Sequence, residues 1–167
     1  SEMLDQVQDP GQAWNALTVG AYTRKVQLAP ELAEFGRALA PAGALCPSST
    51  TSEGWRPGYP FKPDIVMEGG NYYLHSEHPP DTPDCLQLLS TSPLGHAGRL
   101  FATHGDTSAS VALASRLAAR IWSQYPNLRA ESVRGLLVHS ARWQPQMKKD
   151  APDIETLLRQ CGYGVPN

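Results

Sequence analysis

The sequence predicts an α/β fold, and three observations carry that prediction. Short apolar stretches at residues 14–23 and 64–67 have the length of buried strands. A long run of small and apolar residues beginning near Thr107 has the length and composition of a central helix. Further helical patterns follow it, at about 129–141 and from Pro152 to Gly162.

Residues 1–13 are polar and carry a Pro10-Gly11 turn. Residues 14–23 read as a buried strand ending in Val19-Gly20-Ala21. Residues 31–39 fit a short surface helix, and from Pro41 to Tyr59 hydroxyls, Gly and Pro mark a loop. Asp64, Ile65, Val66 and Met67 form a second strand, set between Pro63 and the pair Gly69-Gly70. Residues 71–102 form a long connection with little periodicity, of the kind that is functional or mobile in a compact domain. Leu100, Phe101 and Ala102 begin a strand that leads into the central helix.

The chain turns on residues 104–122, which open His104-Gly105-Asp106-Thr107-Ser108-Ala109-Ser110. Gly105 frees the backbone to turn, and Asp106, Thr107 or Ser108 can each cap the first helical turn. The helix that follows, about 107–124, is apolar on almost every side, so it is expected inside the protein. Arg116 and Arg120 on it imply that its far end emerges to solvent or meets carboxylates. A serine in its first turn lies where unpaired N–H groups and the positive end of the helix dipole converge, an environment suited to an oxyanion. After Tyr125-Pro126-Asn127 the next helix places Val133, Leu136, Leu137 and Ser140 on one face.

These segments resemble the subtilisin-like serine proteases, the subtilases. Thr107-Ser108-Ala109-Ser110 before a small-residue helix is similar to the family's Gly-Thr-Ser-x-Ala nucleophile segment. Residues 62–69 are similar to its Lys-Pro-Asp-Val-x-Ala-Pro-Gly segment, with Met67-Glu68 in place of Ala-Pro. Val19-Gly20-Ala21, Ser52-Glu53-Gly54, Glu131-Ser132-Val133-Arg134-Gly135 and the Gly162-Tyr163-Gly164 close resemble further family segments in the same order. Asp106 stands where the family usually has Gly, and Ala112 where many members have Pro.

The resemblance covers about residues 13–166 and implies the C-terminal portion of a three-layer αβα catalytic domain with a mostly parallel sheet. All 167 residues are read as that single fragment. It implies acyl transfer on a polypeptide substrate, with Ser108 as nucleophile and its N–H in the oxyanion hole. His104, Gly105, Asp106 and Thr107 then line the substrate cleft. The family's triad Asp and His, and its oxyanion asparagine, precede the nucleophile in chain order and have no match here. The isolated chain is therefore expected to be inactive and to need the missing N-terminal half. Apolar surface left uncovered implies self-association of the fragment.

Other readings stay open at this point. Ser108 fits a plain helix cap, and the substitutions at Asp106 and Ala112 suit a non-catalytic binding or scaffold module that kept the protease shape. His104 as a base is the less favoured role for that residue. Asp106 either tunes the serine or simply complements the helix N-terminus. A different α/β hydrolase lacks its Gly-x-Ser-x-Gly elbow here.

Composition sets the remaining bounds. A 41% apolar and 18% charged chain is globular, and a net charge of −2 without a basic block points away from nucleic acid and anionic membranes. No apolar run approaches a membrane span of about 18 residues. Residues 1–10 are no signal peptide, and opening on Ser1 rather than Met suggests a piece of something longer. Cys46, Cys85 and Cys161, odd in number and widely spaced, favour free thiols and a cytoplasmic setting. His75, Glu77, His78 and Cys85 are the one metal-like group, and a solvated loop is preferred for them over a metal site. No cofactor is expected.

Overall fold

A computed structural model describes residues 6–167. The readings placed on residues 1–5 lie outside the described residues. The centre is a parallel pair, β1 (Val19–Tyr22) and β3 (Ile65–Glu68), in register Val19↔Ile65 through Tyr22↔Glu68. Side chains alternate across it, as strand geometry requires. Ile65 and Met67 turn to one face with Ala114, Ala141 and Val138, whereas Val66 joins Tyr22, Met147, Leu157 and Cys161 on the other.

The first face is covered by α2 (Asp106–Gln124) and α3 (Ala130–Ser140), the second by α4 (Pro145–Asp150) and α5 (Ile154–Cys161). Helices on both faces of a parallel pair make this an α/β structure with three layers. The β3 edge is held by the C-terminal segment, with Val66 N–H donating to Gly164 O at 2.9 Å. The β1 edge is held by Cys46 N–H donating to Ala21 O at 3.0 Å.

Four local expectations before α5 need correction. The first strand is only Val19–Tyr22, because residues 10–16 are spent on successive turns, Ala13 N–H to Pro10 O and Ala16 N–H to Ala13 O. Residues 31–39 split into a single helical turn, α1 (Pro30–Ala33), and a strand, β2 (Gly36–Ala38). β2 pairs antiparallel with β4 (Tyr73–His75), and a Cβ on Gly36 would strike Leu74 O and the Tyr73 ring.

The long connection at 71–102 holds β4 and β5 (Leu88–Thr91), the latter pairing antiparallel with β6 (Phe101–His104). Its structure comes from cross-strand bonds that local periodicity does not report. Finally, α2 is not enclosed. Ala109, Ser110 and Ala114 are buried, but Val111 and Trp122 are 46% and 40% exposed, because nothing among the described residues covers that side.

The three cysteines are free thiols. Burial pushes the Cys161 thiol up to about 12, with the Asp150 carboxylate adding to the shift, so this sulfur stays protonated and unreactive. No helix among the described residues is long and apolar enough to cross a membrane.

α5 begins at Ile154 and not at Pro152 as expected, because Asp153 caps it by accepting from Thr156 N–H at 2.8 Å. That bond is the main reason the Asp153 carboxyl lies below the ordinary range. A lowered folded-state value stabilises above the unfolded pKa and loses that effect as pH falls through the folded one. Melting temperatures of the wild type and Asp153→Ala should therefore differ at neutral pH and converge in acid. Equal separation at both ends would refute the cap's charge dependence.

Candidate active site

The site is built where β6 runs into α2. His104 ends the strand opposite Leu88, Gly105 takes an extended conformation, and Asp106 begins the helix. Asp106 has φ 62°, the only non-glycine in the left-handed region among the described residues. Gly supports that conformation without strain, and Asp is among the few side chains that tolerate it.

Three bonds lock the helix start onto the sheet. Asp106 N–H donates to Gly69 O at 2.7 Å. The Ser110 hydroxyl donates to Met67 O at 3.0 Å. Tyr72 OH donates to Asp106 Oδ1 at 3.0 Å. Close packing does the rest, since a Cβ on Gly105 would overlap Gln87 Oε1, and one on Gly69 would press on Ala21 and Asp106 O.

Behind this lies Asn71, fully buried, whose Oδ1 accepts from Ala40 and Tyr72 N–H while its Nδ2 donates to Lys25 O and Ala40 O. Gln87 Nε2 donates to Asn71 O at 2.8 Å. Glu68 ties the ends of both central strands, accepting from Arg24 N–H and Gly70 N–H and pairing with the Arg24 guanidinium at 3.5 Å.

Ser108 is exposed in the first turn of α2. No side chain caps this helix, and the Ser108 N–H has no backbone acceptor among the described residues. A free N–H at the positive end of a 19-residue helix, beside an accessible hydroxyl, can stabilise negative charge on a bound carbonyl oxygen. His104 is exposed, and Gly105, Asp106 and Thr107 are half-buried. All five residues thus gather at the β6–α2 junction. No histidine is hydrogen-bonded to the Ser108 hydroxyl among the described residues.

Tyr72, Gln87, Asn71, Glu68 and Ser110 are the supporting residues that sequence reasoning missed. Only Ser110 carried a signal, as a hydroxyl one turn into an otherwise apolar helix. Cys46, buried beneath the same corner, bonds to Ser48 with Sγ···Oγ 3.2 Å. Burial pushes its thiol up, which keeps it neutral.

The other candidates lie elsewhere. His75 and His78 lie with ring centroids 4.5 Å apart and their planes tilted by 34°, and His75 Nδ1 accepts from Glu77 N–H at 2.9 Å. No three His, Cys, Asp or Glu side chains among the described residues gather as an ion site. A surface depression of about 630 Å³ between α3 and α4 is lined by His139, Arg142, Trp143, Lys148 and Tyr163 and by none of residues 104–108.

No individually curated protein matches the chain. The family model described as the subtilase family, peptidase S8, matches residues 2–164, nearly the whole length. With a serine at the helix mouth and the sheet-to-helix order already in place, that match carries the assignment: the chain belongs to the subtilase family of serine proteases.

Proposed function

We propose that this chain is the nucleophile-bearing part of a serine endopeptidase, with Ser108 attacking the scissile carbonyl and its N–H holding the oxyanion. The supporting observation is the exposed Ser108 at an uncapped helix N-terminus, locked to β3 through Ser110 and Asp106. A serine hydroxyl is a weak nucleophile at neutral pH unless a base takes its proton. The base and its orienting carboxylate come from the N-terminal half of the same catalytic domain, in the parent protein. The exposed face of α2 fits that partner. Val111 and Trp122 lie eleven residues apart, about three turns, and so share one side of the helix. In its absence the same face favours self-association.

The parent protein should cleave peptides and be labelled at Ser108 by a fluorophosphonate, and Ser108→Ala should abolish both. The isolated chain should show neither, since loss of general-base help alone costs about 10²–10⁴-fold. Rapid labelling of the isolated chain, or full activity of the Ser108→Ala parent, would refute the assignment.

A non-catalytic module remains the second reading, favoured by the non-glycine at the left-handed position 106. It predicts a parent that binds peptides and leaves them intact.

A further inference from the structure

Gly135 stands in the middle of α3, and a Cβ added to it would meet nothing within 4 Å. No contact within the described chain therefore requires a glycine there, although glycine is less favourable than alanine in a helix interior. Gly135 lines two adjoining hollows, of about 630 Å³ and about 490 Å³, which also share Val138 and Tyr163. Either hollow alone has the size of a small-ligand pocket, and the two joined along α3 make a groove that suits an extended chain. It lies at the Asp64 end of β3, the opposite end of that strand from Gly69 and the Ser108 corner.

The groove is aromatic along its length and positive at one end. Trp14 and Phe61 line the smaller hollow, Trp143 lines the larger, and Tyr163 lines both. Arg142, Lys148 and His139 line the larger hollow, which no carboxylate lines among the described residues. None of the three forms an ion pair among those residues. Lys148 stands in the last turn of α4, where a cation complements the helix dipole, and one arm of Arg142 donates to His139 O and Ala141 O. Those local roles leave the charge of both side chains uncompensated, in a chain whose net charge is −2.

At the other end charges are matched. Arg134 joins Trp14 O to Asp64 Oδ1, and Asp64 also accepts from Lys62. Glu131 lines only the smaller hollow, which sets a direction for an anionic occupant.

We propose that this groove is a docking site for an acidic peptide segment. Its carboxylates meet Arg142, Lys148 and His139, and a neighbouring aromatic side chain lies over the bare backbone of Gly135, beside Tyr163. The proposal does not depend on Ser108 being a nucleophile.

The test uses the 167-residue protein and a fluorescent peptide of glutamates flanking one phenylalanine, with glutamines replacing the glutamates in a control. Anisotropy should show the glutamate peptide binding, more weakly as salt rises, and the glutamine peptide failing to bind. Arg142→Gln with Lys148→Gln should weaken binding about tenfold, the effect of losing two exposed ion pairs. Lys148→Gln alone should weaken it about threefold, and this side chain makes no hydrogen bond among the described residues whose loss could disturb folding. Arg116→Gln, on the exposed side of α2, should change nothing. Gly135→Ala should raise the melting temperature and weaken peptide binding, opposite signs that a purely structural glycine would not give.

Affinity that survives the double substitution, or that falls equally with Arg116→Gln, overturns the proposal. So does a Gly135→Ala protein that gains stability and keeps its affinity. Displacement of the peptide by inorganic phosphate at equal charge would reduce the groove to a simple anion site. Self-association lost in the double variant, with no peptide bound by the wild type, would give the groove to a second copy of the chain. Either result overturns peptide docking.

Discussion

Replacing Asp64 with alanine is expected to destabilise the chain strongly. Its carboxylate accepts from Thr18 N–H at 2.7 Å and Lys62 Nζ at 2.7 Å on Oδ2, and from Arg134 at 3.0 Å on Oδ1. Lys62 is 1% exposed, and among the described residues the only other bond of its ammonium is to Ala16 O at 2.9 Å. Removing Asp64 strands a buried ammonium, a defect that costs about 3–5 kcal/mol. Total stabilities of domains run about 5–15 kcal/mol, so this is a large share. It also cuts three segments loose at once: the approach to β1, the start of β3, and α3.

The control separates charge from packing. Lys62→Met together with Asp64→Ala removes the stranded charge and should recover much of the loss, because a buried pair contributes little beyond an apolar replacement of similar volume. Guanidinium denaturation of the three proteins measures this. A single mutant within about 1 kcal/mol of wild type, the range of an exposed ion pair, would show that the network is not buried in solution.

That network also marks where local sequence signals stop. Ile65, Val66 and Met67 were legible as a strand because short apolar runs bounded by Pro and Gly are local facts. So were α3, the end of α5 at Gly162 and the delivery of Ser108 by β6 into α2. The α/β class and the subtilase family followed from those stretches in their order along the chain.

The strands β2 and β4 were not legible, since Gly36 and Tyr73 make sense only when set opposite one another across a long separation in sequence. The same holds for Tyr72 and Asn71, whose bonds to Asp106 and Ala40 reach 34 and 31 residues along the chain. The enclosure expected for α2 failed for a different reason. An apolar helix reports that something covers it, without saying that the cover belongs to the same stretch of chain.

Gly69→Ala is expected to disable the site with a smaller effect on the fold. An added Cβ would stand 2.6 Å from Ala21 Cβ and 3.0 Å from both Asp106 O and Ser110 Oγ. Ala21 is fully buried and Asp106 O is backbone, so neither yields by a simple rotamer change. The helix start has to lift from the sheet, weakening the Ser110–Met67 and Asp106–Gly69 bonds that set where Ser108 stands.

Overpacking of this kind costs about 1–3 kcal/mol. A misplacement near 1 Å costs about 10²-fold in rate, so kcat/KM of the parent protease proposed above should fall by that order while the protein stays folded. Gly95→Ala, with nothing within 4 Å of its added carbon, should change neither quantity. The alanine at 69 therefore asks whether the sheet and the proposed nucleophile are rigidly coupled. Should the variant lose stability yet keep its kcat/KM, the helix start moves without moving the reacting hydroxyl, and the locking role given to Gly69, Ser110 and Asp106 falls.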